Sequence, residues 1–201
     1  GDSRSTALGS NILNTTGTAM GTTTAAAAAL AANGVAVEAD LALTTNKGAV
    51  TGISYAAGAD AKTIAAAINT AATNIGITAT ATNKATLGNL GSAGTVSMTL
   101  NGSSVSAVVT DKSDLSSLAA SINGLQSTTG VTASFATPGN KSVITLSTTD
   151  GRDITVVDFN NSGATKTADI VAGTTTTTLT GGAATDSTTI TGTIELASSA
   201  G

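Results

Sequence analysis

Two stretches of the chain repeat one pattern of residues. The first reads DAKTIAAAINTAATNIGITATA and runs from Asp60 to Ala81, and the second reads DLSSLAASINGLQSTTGVTASF and runs from Asp114 to Phe135. They align without a gap, and each carries an aspartate, an Ile-Asn pair, a glycine and Thr-Ala at matching places. An internal repeat of this kind indicates two copies of one structural unit.

Each copy predicts a helix followed by a strand. In the first part of each copy the apolar residues recur at every third or fourth position, which places them on one helical face. After the glycine that both copies share, the apolar residues alternate, which predicts a half-buried strand. The helical residues are Ile64, Ile68, Ala71 and Ala72 in the first copy and Leu115, Leu118, Ile122 and Leu125 in the second. The alternating residues are Ile77, Ala79 and Ala81, and Val131, Ala133 and Phe135.

Polar and glycine residues mark the predicted helix ends. Asp60 is the predicted N-cap of the first helix, and Ser113 or Asp114 that of the second, because a short side-chain oxygen can accept a hydrogen bond from the first turn. Gly76 and Gly130 follow the helices as stop signals.

Strands are predicted on both sides of the two helices. VAVEADLAL (Val35–Leu43) alternates, and Asn101-Gly102 stands between two alternating runs, which is a strong hairpin signal. The segment Ser142–Phe159 predicts a second hairpin that turns at Asp150-Gly151. The second copy therefore predicts β-β-α-β-β-β from about residue 95 to 159, and the first a similar unit with a weaker last strand.

The expected fold is α+β and strand-rich, built from tandem β-β-α-β-β-β subdomains with one short helix each on small antiparallel sheets. AALAANGVAVEA (Ala28–Ala39) again predicts helix, glycine and strand, like a degenerate third unit. We expect the two flanks to pair and to bring Gly1 and Gly201 close together, as insertion into a larger protein requires. The four expected regions are an N-terminal flank (1–34), a first subdomain (35–94), a second subdomain (95–160) and Thr-rich C-terminal strands (161–201).

The composition excludes several classes of function. The 201 residues are 40% hydrophobic but only 1% aromatic, with no cysteine and no histidine. Ser-His and Cys-His nucleophiles and the usual zinc sites are therefore excluded. A net charge of −4 without a basic stripe argues against nucleic-acid binding, and no run is long enough to span a membrane. We expect no enzyme activity, catalytic residue, cofactor or metal.

Five polar residues are the candidates for chemistry. Asp150, Arg152 and Asp153 could bind a cation or act as an acid/base pair, but a solvated hairpin tip is the favoured interpretation. Asn69 and Asn123 recur in both copies although asparagine is a mediocre helix former. For these two, a structural hydrogen bond to a neighbouring strand or loop is favoured over a binding role.

The tract GTTTTTLTGG (Gly173–Gly182) is rich in hydroxyl groups. It is consistent with a glycan-acceptor tract, with an ice- or surface-binding face, or with an exposed β-strand, which is the favoured interpretation. Asn-x-Ser/Thr triplets begin at Asn14, Asn101, Asn140 and Asn160 and are frequent by chance in such a composition.

The repeat resembles a known family. An apolar position, Ile-Asn, a spacer and Gly-Val/Ile-Thr-Ala are similar to the "IN" motif of flagellins and hook-associated proteins, here in Ile64–Ala81 and Leu118–Phe135. The segment VITLSTTDGRDITV (Val143–Val156) also fits that family. The ends, DSRSTALGSN (Asp2–Asn11) and TGTIELASSAG (Thr191–Gly201), resemble segments that border the variable middle of flagellins.

The resemblance implies a structural protein of the bacterial flagellar filament. The long terminal coiled-coil helices of flagellins have no counterpart here, so the expected identity is the central, surface-exposed region. It implies an extracellular location, roles in motility, filament-surface and antigenic decoration, and possible O-glycosylation. The implied partners are other flagellin subunits, through regions absent here, and antibodies or surface ligands, with the fragment alone expected to be monomeric. The alternatives are a hook-associated or filament-cap protein, and an adhesin or glycan-binding module of a secreted repeat protein.

Overall fold

The computed structural model describes residues 11–12 and 19–199. In these residues the chain forms thirteen strands, all paired antiparallel in three sheets, and three short α-helices. The prediction of a strand-rich α+β fold with small antiparallel sheets and few short helices is confirmed. No helix in the described part is long and apolar enough to cross a membrane.

The elements follow one another in this order. The strands are β1 (Asn11–Ile12), β2 (Glu38–Thr45), β3 (Gly48–Tyr55), β4 (Ile77–Gly88), β5 (Gly94–Leu100), β6 (Ser103–Val109), β7 (Thr132–Thr137), β8 (Asn140–Thr148), β9 (Ile154–Asn161), β10 (Thr167–Ala172), β11 (Thr175–Thr180), β12 (Thr188–Ile190) and β13 (Thr193–Ser198). The helices are α1 (Ala61–Ala72), α2 (Ser116–Asn123) and α3 (Gln126–Thr129), and a 3₁₀ turn (Thr73–Ile75) continues α1.

The strand β4 organises the largest sheet, which has seven strands. It pairs with β13 along Ile77–Thr82, with β8 along Asn83–Leu87 and with β10 along Thr86–Gly88. The strands β1, β7 and β11 extend this sheet by pairing with β13, β8 and β10. A four-stranded sheet has the order β12-β9-β5-β6, and β2 and β3 form a hairpin of their own.

Two hydrophobic cores meet within β4. One core contains residues of β2, β3, α1 and β13 with Ile77, Ala79 and Ala81 of β4. The other contains residues of β5 to β12 with Ala85 and Leu87 of the same strand. Both are built mainly from aliphatic side chains, with Tyr55 in the first core and Phe159 in the second. Burial of one Ile or Leu contributes about 1.5–3 kcal/mol. The two cores are therefore joined by a continuous strand.

The helices bury the predicted faces. Ile64, Ile68 and Ala72 of α1 are fully buried, as are Leu118 and Ile122 of α2, so the 3.6-residue periodicity of the sequence is confirmed. Among the strand residues predicted to alternate inward, five are buried, whereas Phe135 near the end of β7 is 39% exposed.

Three of the predicted helix ends are confirmed, and the second N-cap is wrong. The Asp60 carboxylate accepts from the Thr63 N–H, and Gly76 and Gly130 end their helical segments with φ of 82° and 74°. The helix α2 instead begins at Ser116 with Leu115 at the N-cap position. The fully buried Leu115 donates its N–H to the Lys141 carbonyl, and this tertiary contact fixes the helix start. The Asp114 carboxylate still accepts from the Ser116 N–H at 3.0 Å.

One predicted hairpin is confirmed and one is wrong. Asn101 and Gly102 have φ of 45° and 84° and connect β5 to β6 in the tight turn that suits a two-residue loop. The segment 142–159 does not form a hairpin, because β8 pairs with β4 and β7 whereas β9 pairs with β5 and β12. Gly151 packs directly against Ala81 of β4, so the chain crosses here from one sheet to the other. Burial of both strands against non-local partners outweighs the local turn signal.

The helix predicted within Ala28–Ala39 is also wrong. Residues 28–37 are irregular and β2 begins at Glu38 rather than at Val35. The preceding residues bridge to the C-terminal region, Thr23 to Ile190 and Ala27 to Ser187. These long-range backbone bonds override the helix propensity of the alanines. Further out, β1 pairs with β13, and Gly1 and Gly201 lie outside the described residues.

Candidate functional site

The two repeated asparagines make the same pair of bonds. Asn69 at the end of α1 donates from Nδ2 to the Ala79 carbonyl (2.9 Å) and accepts at Oδ1 from the Ala79 N–H (2.7 Å). Asn123 of α2 donates to the Ala133 carbonyl (2.9 Å) and accepts from the Ala133 N–H (2.8 Å). We call each arrangement an asparagine clamp, because a side-chain amide pairs with the backbone of a strand as a neighbouring strand would.

The clamps explain why each helix is followed by glycine and a strand. The glycine reverses the chain so that the strand residue ten positions after the asparagine returns to its side chain. Glutamine is too long and aspartate lacks the donor, so only asparagine supplies a short donor and acceptor side by side. The prediction of a structural hydrogen bond to a neighbouring strand is confirmed for both residues.

A charged junction lies where the two cores meet. Arg152 bonds the Asp150 carboxylate through Nε (3.0 Å) and Nη2 (2.7 Å), and Lys62 at the start of α1 lies 3.5 Å from the same carboxylate. The Arg152 side chain also donates to the Thr129 carbonyl at 3.3 Å. Arg152 holds the pKa of Asp150 down at about 2, chiefly through these hydrogen bonds.

Asp153 lies deeper in the junction. One carboxylate oxygen accepts from Asn33 Nδ2 at 2.8 Å, and the other is buried without a hydrogen-bond partner. The pKa of Asp153 is raised to about 6, chiefly by burial; the charge of Asp60 adds to this rise and the Asn33 hydrogen bond opposes it. The predicted solvated hairpin tip is therefore wrong for this residue, because the crossover between the sheets places it between the two cores.

The junction is built to join segments of the chain. Asn33 also donates to the Gly58 and Ala59 carbonyls, and Asn101 donates to the carbonyls of Thr129 and Asp153. Among residues 11–12 and 19–199, no group of three or more acidic, histidine or cysteine side chains is placed to hold a metal ion.

One face of the seven-stranded sheet is rich in hydroxyl groups. Strand register aligns a row of five residues across it, and residues directly opposite in neighbouring strands share a face. The row is Thr176, Val171, Thr86, Thr145 and Ser134, on β11, β10, β4, β8 and β7. All five side chains are exposed or half-buried, whereas most of their neighbours along the strands are buried, with Phe135 and Thr175 as exceptions.

A shallow groove of about 330 Å³ lies on this face. Thr86, Thr145 and Val171 line it together with Lys84 and Gly173. Its lining combines hydroxyl groups, aliphatic groups and a single cation. None of the described residues that line it is aromatic, so they offer no platform on which a sugar ring or a base could stack.

The Thr-rich tract forms the edge of this face. It supplies β11, in which Thr176 and Thr178 are exposed while Thr177 and Leu179 are buried. The favoured interpretation as a strand is confirmed, with one face exposed and the other buried. The Thr178 hydroxyl donates to the Asp169 carboxylate on β10 at 2.6 Å.

The candidate glycosylation triplets occupy different environments. The Asn101 amide is engaged by three partners in the turn and junction. Asn140 accepts from the Ser142 backbone and hydroxyl, and Asn160 accepts from the next backbone N–H. Asn14 lies outside the described residues.

Serine hydroxyls cover one sheet edge. The strand β6 is at the margin of the four-stranded sheet, and α2 packs beside it. Ser117 donates to the Val108 carbonyl (2.7 Å) and Ser121 to the Ser106 carbonyl (3.1 Å). The helix thereby satisfies acceptors that would otherwise face solvent or another chain.

Comparison with known proteins gives no assignment. No protein-family model matches the chain. No curated protein matches it with significant sequence similarity.

The sequence did not reveal the roles of Asn33 and Asn83. Asn83 on β4 is 3% exposed, and its amide donates to the carbonyls of Arg152 and Ile190 between the two cores. The sequence does mark Asn83 as unusual, because asparagine is unfavourable within a strand. Its hydrogen-bond partners could not be predicted, because they are more than 60 residues away in sequence.

Proposed function

We propose that the chain is a surface-exposed region of a bacterial flagellin and that its work is structural. The observation that carries the proposal is the asparagine clamp. It gives the repeated Ile-Asn motif one physical role in both copies, and the same motif carries the resemblance to flagellins and hook-associated proteins. The region would project from the filament, outside the cell, and present its hydroxyl-rich sheet face to solvent.

The finer architecture that we propose is a pair of β-β-α-β-β-β units. The second unit is β5, β6, α2, β7, β8 and β9, with α3 after its helix. The first begins with β2, β3, α1 and β4 and is continued by β13, which pairs with β4 as β8 pairs with β7. In register, Ala79 lies opposite Leu196, and Ala133 lies opposite Leu146.

The surface supports a role in decoration rather than catalysis. The surface exposes hydroxyl groups and aliphatic side chains and carries few charges. Such a surface suits hydration and variable contact with antibodies. Serine and threonine on this face are candidates for O-linked glycans. The buried Asp153 carboxylate accepts from Asn33, which also donates to the Gly58 and Ala59 carbonyls, as expected of a structural connection.

Immunogold electron microscopy tests the proposal. Antibody raised against the folded chain is applied to intact cells that produce the protein, with a strain lacking the gene as the control. Labelling along the whole length of the filaments is the expected result. Labelling restricted to the hook–filament junction or to the filament tip would favour a hook-associated or cap protein. Labelling of the cell body without the filaments would overturn the proposal in favour of an adhesin.

A further inference from the structure

The two hairpins that open the proposed units differ at one edge. In the second unit β5 pairs with β6 on one side and with β9 on the other. In the described part of the chain β2, which holds the corresponding place in the first unit, pairs only with β3. One edge of β2 therefore presents backbone donors and acceptors without a paired strand.

Three features establish that β2 and β5 correspond. Both strands begin a hairpin with a two-residue turn, closed by the pairs Thr45–Gly48 and Leu100–Ser103. Both hairpins precede a clamped helix. In addition, a side chain near each turn donates a hydrogen bond to the carbonyl of the residue just before Gly76 or Gly130. These bonds run from Thr45 Oγ1 to the Ile75 carbonyl (2.7 Å) and from Asn101 Nδ2 to the Thr129 carbonyl (3.0 Å).

In the second unit this place is filled by β9, which follows β8 in the chain. After β8 the chain crosses between the sheets and forms β9, whose Ile154, Val156 and Phe159 are fully buried. The strand β13 corresponds to β8, with Ile194 and Leu196 in place of Ile144 and Leu146. In the described residues no strand leads from β13 to β2.

We propose that the free edge of β2 is a strand-acceptor site. It binds an extended polypeptide segment, antiparallel to β2, with apolar side chains at alternate positions as in β9. Backbone hydrogen bonds along residues 41–45 would supply affinity, and the inward apolar side chains would supply specificity, as in other cases of strand addition. The inference rests on the tandem arrangement proposed above and not on the flagellin assignment.

The chemistry of the edge agrees with such an occupant. Leu41 and Leu43 are buried on the inner face of β2, while Asp40 and Thr44 are exposed on its outer face. An added strand would place its inward side chains beside the two leucines and extend the first core. Its outward side chains would stay in solvent, where the acidic Asp40 favours neutral or basic neighbours.

A graft tests the proposal. Residues 199–201 are replaced by a copy of the sequence of residues 149–161, so that the crossover and β9 follow β13 as they follow β8. The matched control carries the same thirteen residues in scrambled order. Amide hydrogen exchange is measured by NMR at residues 41–45, together with the thermal unfolding midpoint.

The expected result is slower exchange of the β2 amides in the graft, by about tenfold or more, because paired amides exchange only when the structure opens. A higher unfolding midpoint than in the scrambled control should accompany it. Equal exchange and equal midpoints in the two variants would overturn the proposal.

A synthetic peptide provides the second measurement if the graft does not fold. The peptide with the sequence of residues 149–161 is titrated to millimolar concentration into the isotope-labelled, unaltered chain. Chemical-shift changes centred on residues 41–45, absent with the scrambled peptide, support the site. Their absence at the highest concentration overturns it. Neither result alters the immunogold outcome, so the two proposals fail independently.

Discussion

Replacement of Asp153 by asparagine should stabilise the protein at neutral pH and leave it unchanged in acid. Burial raises the pKa of Asp153 from 3.8 to about 6. The folded state therefore binds this proton more tightly than the unfolded state. The stability that the neutral group contributes is complete below about pH 4 and is lost as the pH rises through 6.

The size of the effect follows from the shift. Each unit of pKa difference corresponds to about 1.4 kcal/mol, so the rise from 3.8 to about 6 sets an upper limit of about 3 kcal/mol on the cost of the ionised group at pH 8. Because the carboxylate is only partly buried, solvent screening reduces the expected cost to about 1–2 kcal/mol. Asparagine keeps an oxygen for the Asn33 bond and removes the buried charge. At pH 8 the variant should unfold roughly 2–8 °C higher than the unaltered protein, since about 1 kcal/mol corresponds to about 2–4 °C in a chain of this size.

Urea denaturation at a series of pH values from 4 to 8 measures the difference. The Asp150→Asn variant is the matched control, because Asp150 lies in the same junction three residues before Asp153. Arg152 lowers the pKa of Asp150 to about 2, so its ionised form stabilises the protein above about pH 4 and this stability is lost as the pH falls towards 2. That variant should be less stable at pH 7 by about 1 kcal/mol, because the pair is partly exposed and solvent screens it.

Two results would refute the reasoning about Asp153. One is a variant that is no more stable than the unaltered protein at pH 8. The other is a stability difference that stays constant from pH 4 to pH 8, which would show that the carboxylate is not titrating with a raised pKa.

Three further predictions concern the clamp, the glycines and the sheet edge. Asn69→Ala should lower the free energy of unfolding, measured by urea denaturation, by about 2 kcal/mol. Asn123→Ala should lower it by about 1 kcal/mol, because Asn123 is more exposed and water can replace part of the lost hydrogen bonding; an unchanged free energy in both variants would contradict the clamp. Gly130→Ala should destabilise more than Gly58→Ala, by about 1 kcal/mol: both residues have positive φ, but only at Gly130 would the added Cβ displace the Arg152 guanidinium from its hydrogen bonds. Equal thermal midpoints would contradict this. Ser117→Ala should increase self-association in light scattering at unchanged helix content by freeing an edge carbonyl, and a strictly monomeric variant would show that this hydroxyl does not protect the edge.

The local elements of the repeat were predictable from sequence. Ile64 and Ile68 mark a helical face by spacing, and Gly76 marks the chain reversal, because these signals act within a few residues. The turn at Asn101-Gly102 was predictable for the same reason. Each depends on backbone preference and on which side chains avoid water.

The non-local pairing could not be predicted. The turn signal at Asp150-Gly151 is real, but the strands on its two sides belong to different sheets, and only the available partners in three dimensions determine that. The alanines of residues 28–33 carry helix propensity, yet backbone bonds of the preceding residues to the C-terminal region hold the segment in an irregular path. The raised pKa of Asp153 comes from its burial among segments that are distant in sequence, and its hydrogen-bond partner Asn33 is itself 120 residues away.

The candidate site was predictable only in part. Recurrence singled out Asn69 and Asn123, and their residue type limited them to hydrogen bonding. Their partners, Ala79 and Ala133, offer only backbone groups, so no side-chain pattern could identify them. The hydroxyl-rich face needed the strand register, which aligns three threonines, a serine and a valine from five strands that are scattered along the chain.

Peptide mapping of purified flagellar filaments provides the decisive test of the flagellin assignment. Filaments are sheared from cells that produce the chain, purified, and analysed by mass spectrometry together with the cell-envelope fraction. The proposal predicts that peptides of this chain belong to the major filament subunit, flanked on both sides by long helices with heptad repeats. Recovery of the chain only in the envelope fraction, within a protein that has no such helices, would contradict it.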